Sequence, residues 1–342
     1  MRLHFIDVGQ GAATLLEFGC GAVLIDTGGE RQPSVHRGAG CAVPRHVPDA
    51  TFDGSARLLA YLRAFFQRRG DLDGRLDAVY LTHPHVDHTR GAPEVLRAFH
   101  VGTLVTNGQS TGSGHCEQAE AEQLADAQPG ASVVHVANPA VPRGLTSAAI
   151  DPVACADVDP ELRVLFGRVD AAVAGPEWSA TDLHNENEHS VVLRVGFGRF
   201  AALLMGDLQR QGIHDLLAQT EPALLDVDVL QVGHHGSHNA TTAALLDALT
   251  PVTAVIAMGS PEREAEFSAW AFGHPRREVI DLLTLRVSGR VAPRPVRVAT
   301  AARTFEEIVL EAAVFGTGWD GDVVIEAHAD GTHARVAVLD RP

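Results

Sequence analysis

The stretch His83-Pro84-His85-Val86-Asp87-His88 carries three imidazoles and one carboxylate within six consecutive residues. Imidazole nitrogen and carboxylate oxygen are the donors by which proteins hold Zn²⁺ and similar divalent cations. The apolar run Ala78-Val79-Tyr80-Leu81 just before it predicts a buried strand, so the stretch leaves a strand end as a loop. The two halves of such a loop can face two cations. A solvated histidine-rich turn is the alternative interpretation.

Two metal sites need more ligands than this loop contains, and the sequence offers further donors where later strands begin or end. They are His189 before the predicted strand 190–195, Asp207 after the strand 200–205, and His234-His235 after the strand 227–232. A carboxylate such as that of Asp207 can bridge two cations with its two oxygens. Asp26 also follows a predicted strand, where its carboxylate suits the N–H group of a ligand histidine.

The residue types leave two ligand choices open. Alternation along a strand end puts only one of His234 and His235 on the metal side. We favour His234 as the ligand, with His235 then in contact with the substrate. We also favour His189 over His184 as the third histidine ligand, and a capping or core role for His189 is the alternative.

Three further residues are candidate substrate contacts. His274 precedes Pro275 at the predicted start of a helix, where a polar side chain can meet a phosphate or carbonyl oxygen. Packing at the helix start is an equally simple role for it. Ser237 and His238 follow the histidine pair and are candidates by position alone; otherwise they are polar loop residues.

The rest of the chain predicts a domain of two sheets covered by helices. Predicted strands lie at 3–8, 12–18, 22–25, 78–81, 101–106, 190–195, 200–205, 227–232 and 253–258, and predicted helices at 55–69, 92–99, 116–126, 208–218 and 240–248. Residues 31–53, rich in Gly, Pro, His and Arg, predict a long surface loop of the kind that flanks active sites.

The motifs resemble, in their order along the chain, those of the metallo-β-lactamase superfamily. More narrowly, five stretches resemble the hydrolase domain of the ComEC-type competence proteins. They are Phe5-Ile6-Asp7-Val8-Gly9-Gln10-Gly11, Ile25-Asp26-Thr27-Gly28-Gly29, Met205-Gly206-Asp207, Val232-Gly233-His234-His235-Gly236-Ser237 and Phe272-Gly273-His274-Pro275. The resemblance runs from residue 3 to about residue 330 and leaves 31–54 and 107–185 unmatched, as family-specific insertions or loops.

The resemblance implies a single α/β domain over residues 1–342, a four-layer αββα sandwich of two mixed sheets flanked by helices. It assigns one cation to His83, His85 and His189, the other to Asp87, His88 and one histidine of the 234–235 pair, and the bridge to Asp207. Zn²⁺ is the expected metal, and Mn²⁺ or Fe²⁺ also suits these donors. Hydroxide on the metal would attack the substrate, with Asp87 handling a proton.

Three departures from the subfamily pattern weaken transfer of a competence nuclease role. Ala12 stands where an acidic residue usually follows Gly11, His85 stands where Asp is frequent, and His189 offers a histidine that the subfamily usually lacks. A phosphodiester, in nucleic acid or in a small phosphate ester, is the expected substrate. Hydrolysis of a lactone, thioester or amide is the alternative, followed by a metal-containing binding or regulatory module without turnover.

The amino-acid composition limits the classes of partner that the protein is expected to bind. The formal net charge is −16 and all 27 basic residues are Arg, so tight nonspecific binding of long DNA is not expected. No run of about 18 apolar residues predicts a membrane span. The chain opens directly into a predicted strand, which favours a cytoplasmic protein. Cys20, Cys41, Cys116 and Cys155 are scattered without a Cys-x-x-Cys pair, and we expect buried free thiols.

Overall fold

Two mixed β-sheets, one of eight strands and one of six, form the body of the molecule in a computed structural model that describes residues 1–30, 41, 53–139 and 141–338. In chain order the strands are β1 (Arg2–Phe5), β2 (Thr14–Glu17), β3 (Ala22–Ile25), β4 (Arg75–Leu81), β5 (His100–Thr106), β6 (Ser132–His135), β7 (Pro160–Phe166), β8 (Val192–Phe197), β9 (Phe200–Leu204), β10 (Val229–Gln231), β11 (Thr253–Ile256), β12 (Arg290–Ala301), β13 (Thr304–Ala312), β14 (Val314–Gly316), β15 (Val323–Ala327) and β16 (His333–Val336). The helices are α1 (Gly54–Arg68), α2 (Val86–Thr89), α3 (Ala92–Ala98), α4 (His115–Ala127), α5 (Ala180–His184), α6 (Arg210–Gln219), α7 (Pro222–Leu225), α8 (Ala243–Leu249), α9 (Ala269–Phe272), α10 (Arg277–Arg286) and α11 (Thr317–Asp320).

The strand order is β16-β15-β1-β2-β3-β4-β5-β6 in the larger sheet and β14-β11-β10-β9-β8-β7 in the smaller, while β12 and β13 form a separate hairpin. Two apolar cores separate the layers. One packs β1, β3 and β4 against the smaller sheet and against α6, α8 and α10. The other packs the opposite face of the larger sheet against α1, α3 and α4. This arrangement confirms the predicted αββα layering.

The predicted helix at 55–69 illustrates why these segments fold as they do. Leu58, Leu62 and Phe65 recur at helical spacing and are fully buried in α1. The carboxylate of Asp53 accepts a hydrogen bond from the Ala56 N–H group and caps the first turn. The long loop predicted at 31–53 lies outside the described residues except at its positions 41 and 53.

Strands from both sheets end at one edge of the sandwich. β3 pairs in parallel with β4, and β9 pairs in parallel with β10, so their carboxyl ends point the same way within each sheet. Asp26, His83, Asp207 and His235 follow these four strand ends within one to four residues. Crevices at the carboxyl ends of parallel strands are common ligand sites in α/β proteins, and the polar residues singled out in the sequence meet there.

The expectation of free thiols is wrong. Disulfides join Cys20 to Cys155 and Cys41 to Cys116. The partners stand 135 and 75 residues apart, so only the fold brings them together, and local cysteine spacing carries no signal of the pairing. The cysteines therefore give no support to the reducing compartment expected from the sequence. Among the described residues, no helix is both long enough and apolar enough to cross a membrane.

A buried ion network anchors the end of the larger sheet remote from the metal loop. The carboxylate of Glu17 accepts hydrogen bonds from Arg68 at 2.8 and 3.0 Å and from Arg69 at 3.0 Å. Its Oε2 also lies 3.1 Å from His4 Nε2, whose Nδ1 is 2.7 Å from the Tyr61 hydroxyl. Burial alone would raise the pKa of Glu17, but His4 and the two arginines hold it well below its usual range.

We expect Glu17→Gln to lower the free energy of unfolding by about 3 kcal/mol at pH 7, because it leaves buried cations without their counter-charge. The folded-state pKa of Glu17 is depressed. Its contribution is therefore complete above the unfolded-chain value of roughly 4.3 and is lost progressively as the pH falls from there toward the depressed folded-state pKa. Urea unfolding at pH 7 and near pH 3 measures both effects.

Glu306→Gln is the matched control, since Glu306 pairs with Arg277 at the surface with a 44% exposed side chain. It should change the free energy of unfolding by less than about 0.5 kcal/mol. A Glu17→Gln deficit that is equally large at both pH values would contradict the ionic explanation.

Candidate metal centre

The opening motifs of the chain hold the histidine loop in place. The Ala12 N–H group donates to the Asp87 carbonyl at 3.0 Å, and the Thr27 N–H group donates to the His88 carbonyl at 2.8 Å. A Cβ atom at Gly28 would lie 1.6 Å from the Asp87 carbonyl oxygen, so only glycine permits this approach. Gly28 is thus required for the close packing of this segment against the metal loop.

Asp87, His88, Asp207 and His235 form a compact group whose donor atoms all lie within 4.8 Å of one another. His88 Nε2 is 3.2 Å from Asp207 Oδ1, and His235 Nε2 is 3.4 Å from Asp87 Oδ2 and 3.6 Å from Asp207 Oδ2. Three of the four side chains are almost fully buried, and Asp87 is 26% exposed. The geometry and the donor types fit one divalent cation.

Hydrogen bonds on the far side of each ring set the tautomers of these histidines. His88 Nδ1 donates to Asp26 Oδ2 at 2.7 Å, and His235 Nδ1 donates to the Ala257 carbonyl at 2.6 Å. Each Nε2 atom therefore carries a bare lone pair, and neither Nε2 forms a hydrogen bond with any described residue. Buried lone pairs that face carboxylate oxygens need a positive charge between them, which a divalent cation supplies.

A second pair of ligands lies beside this group. His83 Nε2 and His85 Nδ1 are 3.1 Å apart, close to the ~3.3 Å expected of two nitrogens on one tetrahedral cation. His83 Nε2 is also 3.9 Å from Asp207 Oδ2. Because the Thr82 hydroxyl donates to Asp26 at 3.0 Å, it can only accept from His83 Nδ1, 3.2 Å away, so the Nε2 atom of His83 is also bare. Asp207 stands between the two groups, as a bridge would.

The electrostatics of the cluster agree with this assignment. Burial alone would raise the pKa of Asp207, but the imidazoles of His88, His235 and His234 hold it well below its usual range. Burial and the neighbouring charges of His88 and His85 lower the pKa of His83 well below its usual value, so His83 is neutral. Burial alone would also lower the pKa of His88, but the carboxylates of Asp207 and Asp26 raise it well above its usual value, so a cation must displace a proton there. Neutral imidazole and ionised carboxylate are the forms that bind metal.

The other face of His85 meets a carboxylate that the sequence did not single out. His85 Nε2 lies 3.6 Å from Glu186 Oε2, and this imidazole lowers the pKa of Glu186 to about 2. An ionised Glu186 keeps the ring proton of His85 on Nε2 and leaves Nδ1 for the metal side.

His189 does not join the cluster, and its predicted ligand role is not supported. The Val169 N–H group donates to its Nδ1 at 3.1 Å, and its Nε2 donates to the Leu183 carbonyl at 3.1 Å. With both ring nitrogens bonded to backbone and the ring packed on Trp178, this histidine is a core residue. The rival His184 is exposed and bonds the Ala180 carbonyl. Among the described residues, the compact donor group contains neither histidine.

The structure reverses the preference between His234 and His235. His235 belongs to the buried donor group, whereas His234 stands at the mouth with Nε2 3.8 Å from Asp207 Oδ2 and Nδ1 2.9 Å from Asn239 Oδ1. The two residues form a turn in which both have positive φ, 48° and 54°. Strand alternation does not apply to such a turn, which explains why the sequence pattern gave the wrong choice.

A cavity of about 260 Å³ opens over the cluster. It is lined by Gln10, His85, Val86, Asp87, Ser113, Asn187, Asp207, His234, His235, Phe267, Phe272 and His274. His274 thus lies where a substrate contact is expected. Ser237 is buried outside the lining and His238 is exposed outside it, so the structure does not place either of them as predicted.

Sequence reasoning missed several residues of the site. Thr82, Gln10 and Glu186 act on the histidines through hydrogen bonds or charge, and Phe267 and Phe272 form an aromatic wall with ring centroids 6.4 Å apart. Thr82 adjoins the histidine loop, and Gln10 belongs to a quoted motif, so position was a usable signal for these two. Glu186 and Phe267 lie in segments without periodicity, where no local signal existed.

Comparison with known proteins identifies related chains. Residues 6–260 match the family model described as the metallo-beta-lactamase superfamily. ComE operon protein 3 of Bacillus subtilis (strain 168) is 28% identical over 285 residues, which are 82% of this chain and 30% of that protein. Recombination protein 2 of Haemophilus influenzae is 26% identical over 285 residues, which are 80% of this chain and 25% of that protein. The chain therefore spans between a quarter and a third of the length of these relatives.

Among solved structures, the chain is similar to the metallo-beta-lactamase fold protein YhfI from Bacillus subtilis. The two share 12% sequence identity over 75% of this chain and 85% of the other, with a TM-score of 0.39.

Metal stoichiometry tests the two corrected histidines directly. After dialysis against Zn²⁺, we expect two equivalents per chain for the wild type and one for His235→Ala, because His235 Nε2 faces both carboxylates. His189→Gln, whose amide can replace both backbone hydrogen bonds, should retain two equivalents. Loss of zinc in His189→Gln with retention in His235→Ala would show that the ligand assignment is wrong.

Proposed function

Because the chain belongs to the metallo-beta-lactamase superfamily, we propose that it is a hydrolase with two divalent cations and that its substrates are phosphodiesters. Zn²⁺ is the favoured metal, with Mn²⁺ and Fe²⁺ also compatible with nitrogen and carboxylate ligands. In this proposal His83, His85 and Asp207 hold one cation, and Asp87, His88, His235 and Asp207 hold the other.

One observation carries the metal requirement. The buried Nε2 atoms of His88 and His235 have bare lone pairs and lie within 3.6 Å of carboxylate oxygens, without a hydrogen bond to a described residue. Their Nδ1 protons are committed to Asp26 and to a carbonyl, so Nε2 is the atom of each ring that faces the carboxylates. Two cations satisfy all of them together.

The chain's own residues then have defined tasks. When bound, such cations lower the pKa of water and neutralise charge that develops on the substrate. Asp207 is buried, and its carboxylate lies beside both groups of ligands. Asp87 lines the cavity, where its partly exposed carboxylate can accept a proton. Asp26 and Thr82 keep the ring protons of His88 and His83 away from the metal side.

The substrate class rests on the relatives and on the cavity. The name of Recombination protein 2 refers to recombination, a process on nucleic acid, which favours phosphodiester chemistry. The cavity is small, at about 260 Å³, and no arginine is among its lining residues within the described chain. With a net charge of −16, this cavity favours a small phosphodiester over a long nucleic acid.

We expect the zinc-loaded protein to hydrolyse bis-p-nitrophenyl phosphate, and Asp207→Asn to reduce kcat/KM by at least about 100-fold, since even a partner of a ligand costs 10- to 100-fold. Asp247→Asn is the matched control, because this carboxylate is 63% exposed and pairs with Arg286 at the surface. Release of p-nitrophenolate at saturating zinc is the measurement.

The same assay with p-nitrophenyl acetate and a lactone separates the alternatives. Hydrolysis of these esters without phosphodiesterase activity would contradict the proposed substrate class. A protein with two bound zinc ions that turns over none of the substrates would instead be a binding or regulatory module.

A further inference from the structure

His274 lines the cavity but belongs to neither group of proposed metal ligands. Its side chain lies beside three other rings, with centroid distances of 5.8 Å to His234, 5.9 Å to Phe272 and 6.3 Å to His235. The residue is 8% exposed and lines the cavity together with Asp87 and Asp207. A polar ring in this position borders the space that a substrate would occupy.

The side-chain amide of Gln10 is fixed in one orientation. The Gly259 N–H group, which can only donate, lies 3.2 Å from Gln10 Oε1. The amide nitrogen therefore points the other way, where Nε2 is 3.1 Å from His274 Nδ1. Gln10 is 2% exposed, and its own backbone N–H group donates to Glu30 Oε1 at 3.2 Å. A flipped amide would set two donors against each other at Gly259.

This orientation decides where His274 carries its proton. An amide NH₂ group donates, so Nδ1 of His274 must accept and has no proton. The proton of the neutral ring is therefore on Nε2. Among the described residues, none forms a hydrogen bond with His274 Nε2.

We propose that His274 is a catalytic residue whose Nε2–H group donates a hydrogen bond to a phosphoryl oxygen of the substrate, and that Gln10 presets this tautomer. The inference rests on the proposed phosphodiester function. A donor already oriented before the substrate arrives stabilises negative charge that develops on that oxygen without reorganisation. A ligand role through Nδ1 is excluded, because Gln10 occupies that atom.

Nitrogen-15 NMR of the imidazole rings tests the tautomer without any turnover. In the zinc-loaded wild type, the His274 signals should show the proton on Nε2. Gln10→Glu keeps an acceptor for the Gly259 N–H group but turns the donor toward His274 into an acceptor, so we expect proton density to appear on Nδ1. A wild-type signal with the proton on Nδ1 would overturn the inference.

Binding of inorganic phosphate to the zinc-loaded protein, followed by calorimetry, tests the donor role. We expect His274→Ala to weaken phosphate binding by about 10- to 100-fold, as loss of a hydrogen bond to a charged group does. His274→Gln, which retains an N–H donor, should recover part of the affinity. Zinc stoichiometry should stay at two equivalents in both variants, and the exposed His214→Ala should behave as wild type.

Hydrolysis of bis-p-nitrophenyl phosphate tests whether the His274 donor also acts during turnover. His274→Ala should lower kcat by roughly 100-fold, the usual loss when one oriented donor is removed. Unchanged phosphate affinity and unchanged kcat in His274→Ala would contradict the donor role while leaving the proposed function intact. A wild type that binds phosphate through His274 but hydrolyses no phosphodiester would contradict the proposed function and leave the donor role standing.

Discussion

The carboxylate of Asp207 is the constraint on which the site depends. It is 2% exposed, at the end of a strand in the smaller sheet, and imidazoles from the larger sheet and from the turn after β10 converge on it. A buried carboxylate is costly unless positive charge balances it. Its two oxygens lie within 3.9 Å of ring nitrogens of His83, His88 and His235, so the three histidines share that balance. The proposed metal ligands follow strands of both sheets, so bound cations would link the two sheets in addition to their apolar core.

Hydrogen bonds around the histidines determine which nitrogen of each ring faces the carboxylates. Asp26 accepts from His88, the Thr82 hydroxyl accepts from His83, and the Ala257 carbonyl accepts from His235. Each of these contacts leaves a bare Nε2 atom on the side of the carboxylates. Thr82 links two of these contacts, because its hydroxyl accepts from His83 and donates to Asp26, the acceptor of His88. The backbone of the loop is held separately, by hydrogen bonds from the two glycine-containing motifs near the start of the chain.

Much of the fold and part of the site could be predicted from the sequence, since strand ends, helical stripes and the histidine loop are local patterns. His83, His85, His88, Asp207 and Asp26 lie where the sequence placed them. His189 was misassigned because a histidine before a strand has the same local pattern whether it bonds a metal or two backbone groups. His235 was misassigned because its turn has positive φ and escapes strand alternation. The disulfides and Glu186 depend on contacts between distant segments, which one sequence does not reveal.

Anomalous diffraction at the zinc edge, from crystals grown with Zn²⁺, tests the central claim most directly. The account predicts two peaks on opposite sides of the Asp207 carboxylate, one within bonding distance of His83 Nε2 and His85 Nδ1 and the other of His88 Nε2 and His235 Nε2. A single peak, or a peak bonded to His189 or to His274 Nδ1, would contradict it.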